Sequence, residues 1–210
     1  MSKIIIFGAG GRVGRLVAAE ALARGHQVTS VVRDPARHPD LPGRVVAGDV
    51  TDPDSVAALV PGHEVAVSTV YDVSADPAEF YPAAARALAA VPGVRVLVLG
   101  IAVLLESAPE VRLLDSPEFP AEYRPFCLGH AAGSAVLAGS PGLDWLVLSP
   151  IGEFDFAAGR TGHRTDGGFV TPGWPRPEGA LSGVDFATAV VEEIETPRHH
   201  GGQVAVYPLT

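Results

Sequence analysis

Cysteine is almost absent from this chain of 210 residues, because only Cys127 is present. A single cysteine excludes an internal disulfide and any zinc or iron–sulfur site built on several cysteines. Long hydrophobic runs are also missing at the start of the chain, where only four apolar residues separate Lys3 from Gly8. A membrane span needs about 20 residues, so we expect neither a membrane anchor nor an export signal, and a cytoplasmic location.

Basic residues are few, with 15 Lys and Arg against 24 Asp and Glu and a formal net charge of −9. This balance argues against binding to nucleic acid or to an anionic membrane, because both need a basic surface. The charge is spread unevenly, since residues 1–48 carry seven basic and three acidic residues, a local charge of +4. We therefore expect this first segment to bind a small anion.

The composition, 47% hydrophobic and 19% charged, predicts one globular domain over residues 1–210. Short apolar segments alternate with helical periodicity, which is typical of an α/β Rossmann fold with a doubly wound parallel sheet. The predicted strands are Lys3–Phe7, Gln27–Val32, Arg44–Ala47, Glu64–Thr69, Val94–Leu99, Leu143–Leu148 and Gln203–Tyr207. The predicted helices run from Val13 to Arg24, Pro53–Val60, Pro77–Ala90, Pro120–Ala138 with a disturbance at Pro125, and from Ser182 through Glu195.

Glycine and proline are dense between Gly152 and Gly183, where only two strand-like pieces are visible, Gly162–Thr165 and Gly168–Thr171. We predict that residues 150–183 form a small loop-rich C-terminal substrate cap on the same domain. Ser182, followed three residues later by Asp185, predicts a capping box at the start of the last helix.

A glycine-rich segment follows the first predicted strand and opens the first predicted helix, which is the context that a dinucleotide-binding loop requires. Gly8 permits a tight turn, Gly11 lets the backbone approach a pyrophosphate, and Gly14 lets the helix pack closely on the strand. The alternative is a glycine-rich turn without a ligand. The residues predicted to hold the cofactor here are Gly8, Gly10, Gly11, Arg12, Val13 and Gly14.

The end of the second strand favours NADP(H) over NAD(H). An acidic residue at this point would bind the adenosine ribose of NAD(H), but the strand ends in Arg33, and Asp34 comes one place late. A guanidinium suits the 2′-phosphate of NADP(H), and Arg12 and Arg37 are candidates to share it. The alternative for each arginine is a solvated surface position.

Residues after the third and fourth strands complete the predicted cofactor site. Asp49, next to Val50, either hydrogen-bonds the adenine, orders its own loop or caps the following helix. Ser68, Thr69 and Val70 end the fourth strand at the carboxyl edge of the sheet, where they are expected to line the nicotinamide ribose.

Several of these segments resemble the atypical short-chain dehydrogenase/reductase superfamily, in particular NmrA-like NAD(P)H-binding proteins and the biliverdin reductase B (flavin reductase) type. The segments that carry the resemblance are the glycine loop, 31–35, 48–52 and the stretch from Glu106 to Tyr123 with Asp115, Pro117 and Phe119. The resemblance implies a sheet with strand order 3-2-1-4-5-6-7. It also implies a substrate pocket over the nicotinamide, built from the segment after the fifth strand and the cap.

The catalytic residues typical of the superfamily are missing. Its usual members reduce a carbonyl with a serine and a Tyr-x-x-x-Lys pair, but the only lysine here is Lys3, so none of the four tyrosines has that partner. The segment from Leu97 to Leu105 also lacks a hydroxyl group, and the first serine after it is Ser107. This argues against standard alcohol and ketone chemistry.

His130 and Tyr123 are the candidate catalytic residues. They stand seven residues apart, which places them on one helix face, and an imidazole can donate a proton near neutral pH. A structural histidine and a packing tyrosine are the alternatives.

No metal site is expected, because His199 and His200 lack further spaced ligands. The residues predicted to bind a flat substrate are Tyr71, Ile101, Leu104, Pro150, Ile151 and Phe154, with Phe156 beside them.

Three functions agree with these residues. The first is an NADP(H)-dependent oxidoreductase that transfers hydride to a flavin, quinone or other conjugated aromatic acceptor without a Tyr–Lys pair. The second is a non-catalytic NADP(H) sensor. The third is a non-redox cyclase or isomerase that uses His130 or an acid as its base. The partner in each case is a small molecule, and the sequence predicts no oligomeric state.

Overall fold

The computed structural model describes residues 1–108, 111–167 and 180–209. Its main strands are β1 (Lys3–Phe7), β2 (Gln27–Val32), β3 (Arg44–Ala47), β4 (Val65–Ser68), β5 (Arg95–Leu99), β6 (Trp145–Pro150), β7 (His163–Gly167) and β8 (Gly202–Pro208). Its helices are α1 (Arg12–Ala23), α2 (Pro53–Leu59), α3 (Pro77–Ala89), α4 (Arg124–Ala138) and α5 (Gly183–Glu195). Among the helices of the described residues, none is both long enough and apolar enough to cross a membrane.

The strands form one sheet in the order β7-β8-β6-β5-β4-β1-β2-β3. Seven of them are parallel and have the expected Rossmann order, while β7 pairs antiparallel with β8 at one edge. The sheet is therefore mixed, and the strand-like piece predicted at Gly162–Thr165 belongs to this edge strand. The other predicted piece, Gly168–Thr171, lies outside the described residues.

Helices cover both faces of the sheet, as the alternation of side chains along β1 requires. Ile4 and Ile6 pack on one face with α1 and α5, while Ile5 and Phe7 pack on the other with α2, α3 and α4. This arrangement confirms the predicted doubly wound fold. It leaves the carboxyl ends of the parallel strands open to ligands.

Short polar side chains fix most helix starts near their predicted positions. Asp52 accepts a hydrogen bond from the Asp54 amide at the start of α2, and Ser182 accepts one from the Val184 amide at the start of α5. The capping box predicted at Ser182 is only half formed. The carboxylate of Asp185 binds Thr161 of the cap instead of returning to the Ser182 amide.

Helix α4 begins later than predicted. A separate single turn covers Ala121–Tyr123, and the α-helix starts at Arg124, so Pro125 lies in its first turn and does not disturb its interior. Proline is tolerated there because the first amides of a helix have no partner within it. Tyr123 is consequently the residue before the helix, so the predicted placement of Tyr123 and His130 within one helix is wrong.

Two short ribbons lie outside the main sheet. Glu106–Ala108 pairs with Val111–Arg112 after β5, and Phe154–Asp155 pairs with Leu181–Ser182. The second ribbon joins the beginning of the cap to the start of α5. It thereby brings the aromatic residues of the cap to the carboxyl edge of the sheet.

Candidate functional site

A cleft of about 680 Å³ runs along the carboxyl edge of the sheet. This volume is within the usual range of ligand sites, and the location is the one that open α/β sheets use. Most of the predicted site residues line it together: Gly8, Gly10, Gly11, Arg12, Val13, Arg33, Arg37, Asp49, Val50, Thr69, Val70, Tyr71, Ile101, His130, Pro150 and Phe154.

Five predicted residues do not line the cleft. Gly14 lies beneath the glycine loop, while Ser68 and Leu104 line a separate cavity of about 30 Å³ behind it. Ile151 is in a small core cluster with residues of the segment after β5 and of β8. The side chain of Tyr123 is at the surface, where the residue is 60% exposed, because its turn precedes α4.

The glycine loop packs too tightly to admit side chains at its key positions. Gly8 has φ of +80°, a conformation that glycine adopts at little cost. Its carbonyl oxygen accepts a hydrogen bond from the Gly11 amide at 2.9 Å. A Cβ on Gly14 would lie 2.3 Å from the Gly8 oxygen and 2.7 Å from Oγ1 of Thr69. The loop, α1 and the end of β4 are therefore in direct contact.

The start of α1 is arranged to receive an anion. Gly11 is its N-cap and supplies no side-chain acceptor, so no capping side chain satisfies the first amides of the helix at the cleft. Such amides, together with the helix dipole, bind phosphate groups. A Cβ on Gly10 would lie 2.6 Å from the imidazole of His38, so a side chain at this point would require His38 to move. These features fit the diphosphate of a dinucleotide.

Cationic side chains surround the loop end of the cleft. Nη1 of Arg33 lies 2.8 Å from Oδ2 of Asp72, and the guanidinium of Arg12 lies 3.8 Å from the centre of the Phe156 ring. Hydrogen bonds from Ser74, and then the one from Arg33, lower the pKa of Asp72 to about 2. Asp72 is therefore charged at neutral pH.

Asp49 orders its own loop. Its Oδ1 accepts hydrogen bonds from the amide and the hydroxyl of Thr51 at 2.8 and 2.7 Å. The helix that follows is capped by Asp52, so the alternative in which Asp49 caps it is wrong. Asp49 keeps its place in the cleft lining beside Val50.

The other end of the cleft is aromatic. The ring of Phe126 meets Tyr71 edge-on at 5.7 Å, Tyr81 at 5.8 Å and His130 at 4.8 Å between ring centres. Phe80 also lines the cleft. The motifs of the sequence did not single out Phe80, Tyr81 or Phe126, although the spacing of Phe126 and His130, four residues apart on one helix, contained the signal.

His130 is held as a neutral imidazole. The residue is 9% exposed, and its ring stacks on Tyr81 with 3.8 Å between ring centres. Burial lowers the pKa of His130 to about 4, and burial also raises the pKa of Tyr81. Since both groups are neutral at physiological pH, His130 meets the cleft as an uncharged hydrogen-bonding group.

We expect His130 to make the protein less stable in mild acid. The unfolded imidazole binds its proton near pH 6.5 and the folded one only near pH 4. The unfolded state therefore holds more protons between these values, and the free energy of unfolding falls by roughly 1.4 kcal/mol per pH unit as the pH decreases through this window. Denaturant unfolding should show that His130→Gln loses less stability than the unmodified protein when the pH is lowered from 7.5 to 5. Equal losses in the two proteins would contradict the assigned pKa.

The histidines near the C-terminus are engaged in contacts with carboxylates. Nδ1 of His199 lies 3.0 Å from Glu193, and Nδ1 of His200 lies 2.8 Å from Asp144. Within the described ranges of the chain, no group of three or more His, Cys, Asp or Glu residues is arranged to hold a metal ion.

A glycine loop between the first parallel strand and its helix, at the carboxyl edge of a doubly wound sheet, defines a Rossmann-type dinucleotide-binding protein. The sequence model of the family described as NAD(P)H-binding matches residues 8–197. The chain belongs to this NAD(P)H-binding family, and a nicotinamide nucleotide is its cofactor. This confirms the family resemblance inferred from its motifs.

The chain is also similar to individual proteins. YwnB of Bacillus subtilis (strain 168) is 30% identical over 210 residues, which cover 97% of each chain. SP1627 of Streptococcus pneumoniae TIGR4, described as "a putative NADH-flavin reductase", has a TM-score of 0.86 and 24% identity over 100% of both chains. ChuY of Escherichia coli O157:H7, described as an anaerobillin reductase, has a TM-score of 0.75 and 20% identity over 99% of this chain and 97% of its own. The last two likenesses establish the shared fold.

Proposed function

We propose that this protein is an NADPH-dependent reductase that passes hydride to a flat conjugated acceptor such as a flavin or a quinone. The observation that carries the proposal is the division of the cleft. One end has the glycine loop, the start of α1 and three arginines, and the other end has the rings of Tyr71 and Phe126. Two proteins of the same fold are described as an NADH-flavin reductase and an anaerobillin reductase, and we extend that chemistry to this chain as part of the proposal.

The chain's own residues bind and orient both molecules. The start of α1 and the glycine loop receive the diphosphate, and Arg33, with Arg12 and Arg37, receives the 2′-phosphate. The bound cofactor supplies the hydride. The aromatic rings at the other end hold the acceptor flat in a partly dehydrated site. His130 remains a neutral hydrogen-bonding group beside the acceptor.

A conjugated acceptor also explains why the chain has no Tyr-x-x-x-Lys pair. A reduced flavin or quinone delocalises negative charge over its ring system, so its protonation does not need a dedicated strong acid in the site. Only Lys3 is available in the whole sequence, and it begins β1.

Arg33→Ala is expected to weaken NADPH binding by about tenfold or more. One lost charge-assisted hydrogen bond is worth about 1.5–3 kcal/mol, while the affinity for NADH, which lacks the phosphate, should change little. Titration of the apo protein by nicotinamide fluorescence measures both affinities. Arg86→Ala, an exposed arginine of α3 away from the cleft, is the matched control.

Turnover is tested by following the loss of nicotinamide absorbance without oxygen, with riboflavin, FMN and a naphthoquinone as acceptors. Oxidation of NADPH that depends on the acceptor supports the reductase. Tight binding with no turnover by any acceptor overturns it in favour of the NADP(H) sensor. If neither nucleotide binds, both proposals are wrong.

A further inference from the structure

Arg33 and Asp72 form an ion pair across the carboxyl edge of the sheet. Arg33 directly follows β2, and Asp72 lies four residues after β4. These two strands are the neighbours of β1, one on each side. The pair therefore joins the two sides of the site at the point where the glycine loop leaves β1. Both residues line the cleft.

Asp72 is the fixed member of the pair. Its Oδ1 accepts hydrogen bonds from the Ser74 amide at 2.9 Å and the Ser74 hydroxyl at 2.6 Å, while Oδ2 faces Arg33. The Arg33 side chain is 70% exposed and makes this contact through one nitrogen, Nη1. A flexible, exposed guanidinium can leave such a partner at small cost, because exposed ion pairs contribute little free energy.

We propose that Asp72 competes with the 2′-phosphate of NADP(H) for Arg33 and thereby limits how strongly the protein prefers NADP(H) to NAD(H). The inference rests on the proposed binding of NADP(H). The carboxylate and the phosphate are both anions that need the same guanidinium, and they repel each other when they are close. NAD(H) has a hydroxyl group at this position, so its binding does not require Arg33 to leave Asp72.

Asp72→Asn tests the competition because it removes the charge and keeps the shape and the oxygen that Ser74 binds. The dissociation constant for NADPH should fall by about threefold at low salt, and that for NADH should change by less than about 1.5-fold. The difference should shrink at high salt, since screening weakens exposed charges. Asp76→Asn is the matched control, because it removes the same charge from the same loop at an N-cap that asparagine fills equally well.

A second pair of variants shows whether the effect passes through Arg33. Asp72→Asn should change the NADPH affinity by less than about 1.5-fold when it is introduced into Arg33→Ala, because the contested group is gone. Weaker NADPH binding by Asp72→Asn would overturn the proposal and make Asp72 a residue that orients Arg33. An unchanged ratio of the two affinities would also overturn it. If the unmodified protein binds NADPH no better than NADH, the NADP(H) preference itself fails, which is a different result.

Discussion

Gly14→Ala is expected to abolish nucleotide binding and to lower the free energy of unfolding by about 1–3 kcal/mol. The new methyl carbon would lie 2.3 Å from the Gly8 carbonyl oxygen and 2.8 Å from the Ala9 Cα, which are both backbone atoms and cannot rotate away. The loop must therefore move relative to α1 and Thr69. Such a shift moves the amides that receive the diphosphate, so binding is lost together with stability.

Fluorescence titration with NADPH and thermal unfolding measure the two effects of Gly14→Ala separately. Gly202→Ala is the matched control, because its Cβ meets no atom within 4 Å and its backbone is not in the left-handed region. It should leave both measurements nearly unchanged. Normal NADPH affinity in Gly14→Ala would contradict the role of close packing beneath the loop.

The sequence predicts most helices and strands because their bounds depend on neighbouring residues in the chain. β1 and β2 have their predicted bounds, because both are short runs rich in β-branched residues, which favour strands. Asp52 with Pro53 marks the start of α2, because the side chain caps the helix and proline lacks the amide that would be unpaired. Errors occur where a distant contact decides, as for Asp185, which binds Thr161 of the cap.

The candidate site was predictable where it depends on one chain segment and not where it depends on several. The glycine loop is a single segment, so its residues and the cleft position of Arg33 followed from the sequence. The partner of Arg33 is 39 residues away, on the loop after β4. The aromatic end joins Tyr71, on the loop after β4, to Phe126 of α4, and no periodicity within one element reveals that contact.

Tyr123 lies outside the cleft, whereas Phe126, which the sequence motifs did not single out, lines it. Tyr123 and His130 were paired by their seven-residue spacing within the helix predicted from Pro120, but α4 starts only at Arg124 and Tyr123 is 60% exposed. Within α4 itself, position 126 is one turn before position 130, so the two rings meet. The boundary of a helix thus decided which aromatic residue reaches the cleft.

Arg95→Met is expected to cost the most stability, about 3–5 kcal/mol, without changing the site. Arg95 at the start of β5 is 7% exposed and donates to the backbone oxygen of Glu193, to its carboxylate and to the His199 oxygen. Burial alone raises the pKa of Glu193, but hydrogen bonds from His199 and Arg95 hold it below its ordinary value. Removing one partner of a buried ion pair leaves the other charge uncompensated.

Denaturant unfolding should therefore show a large loss of stability for Arg95→Met and a partial recovery in Arg95→Met/Glu193→Met, in which neither charge of the buried pair remains. Arg112→Met is the matched control, because its pair with Asp115 is exposed and contributes at most about 1 kcal/mol. If Arg95→Met lost no more stability than Arg112→Met, the role assigned to the buried pair of Arg95 and Glu193 would be wrong.

The affinity for NADPH distinguishes the effect of Arg95→Met from that of Gly14→Ala. Arg95 lies at the amino end of β5, and the cleft lies at the carboxyl ends of the strands. The length of a strand therefore separates the pair of Arg95 and Glu193 from the cofactor site. Folded Arg95→Met should bind NADPH as the unmodified protein does, whereas Gly14→Ala should not. Weakened binding in Arg95→Met at temperatures where it is folded would show that the two edges of the sheet are coupled. The expected independence follows from the stiffness of a sheet that is packed on both faces by helices.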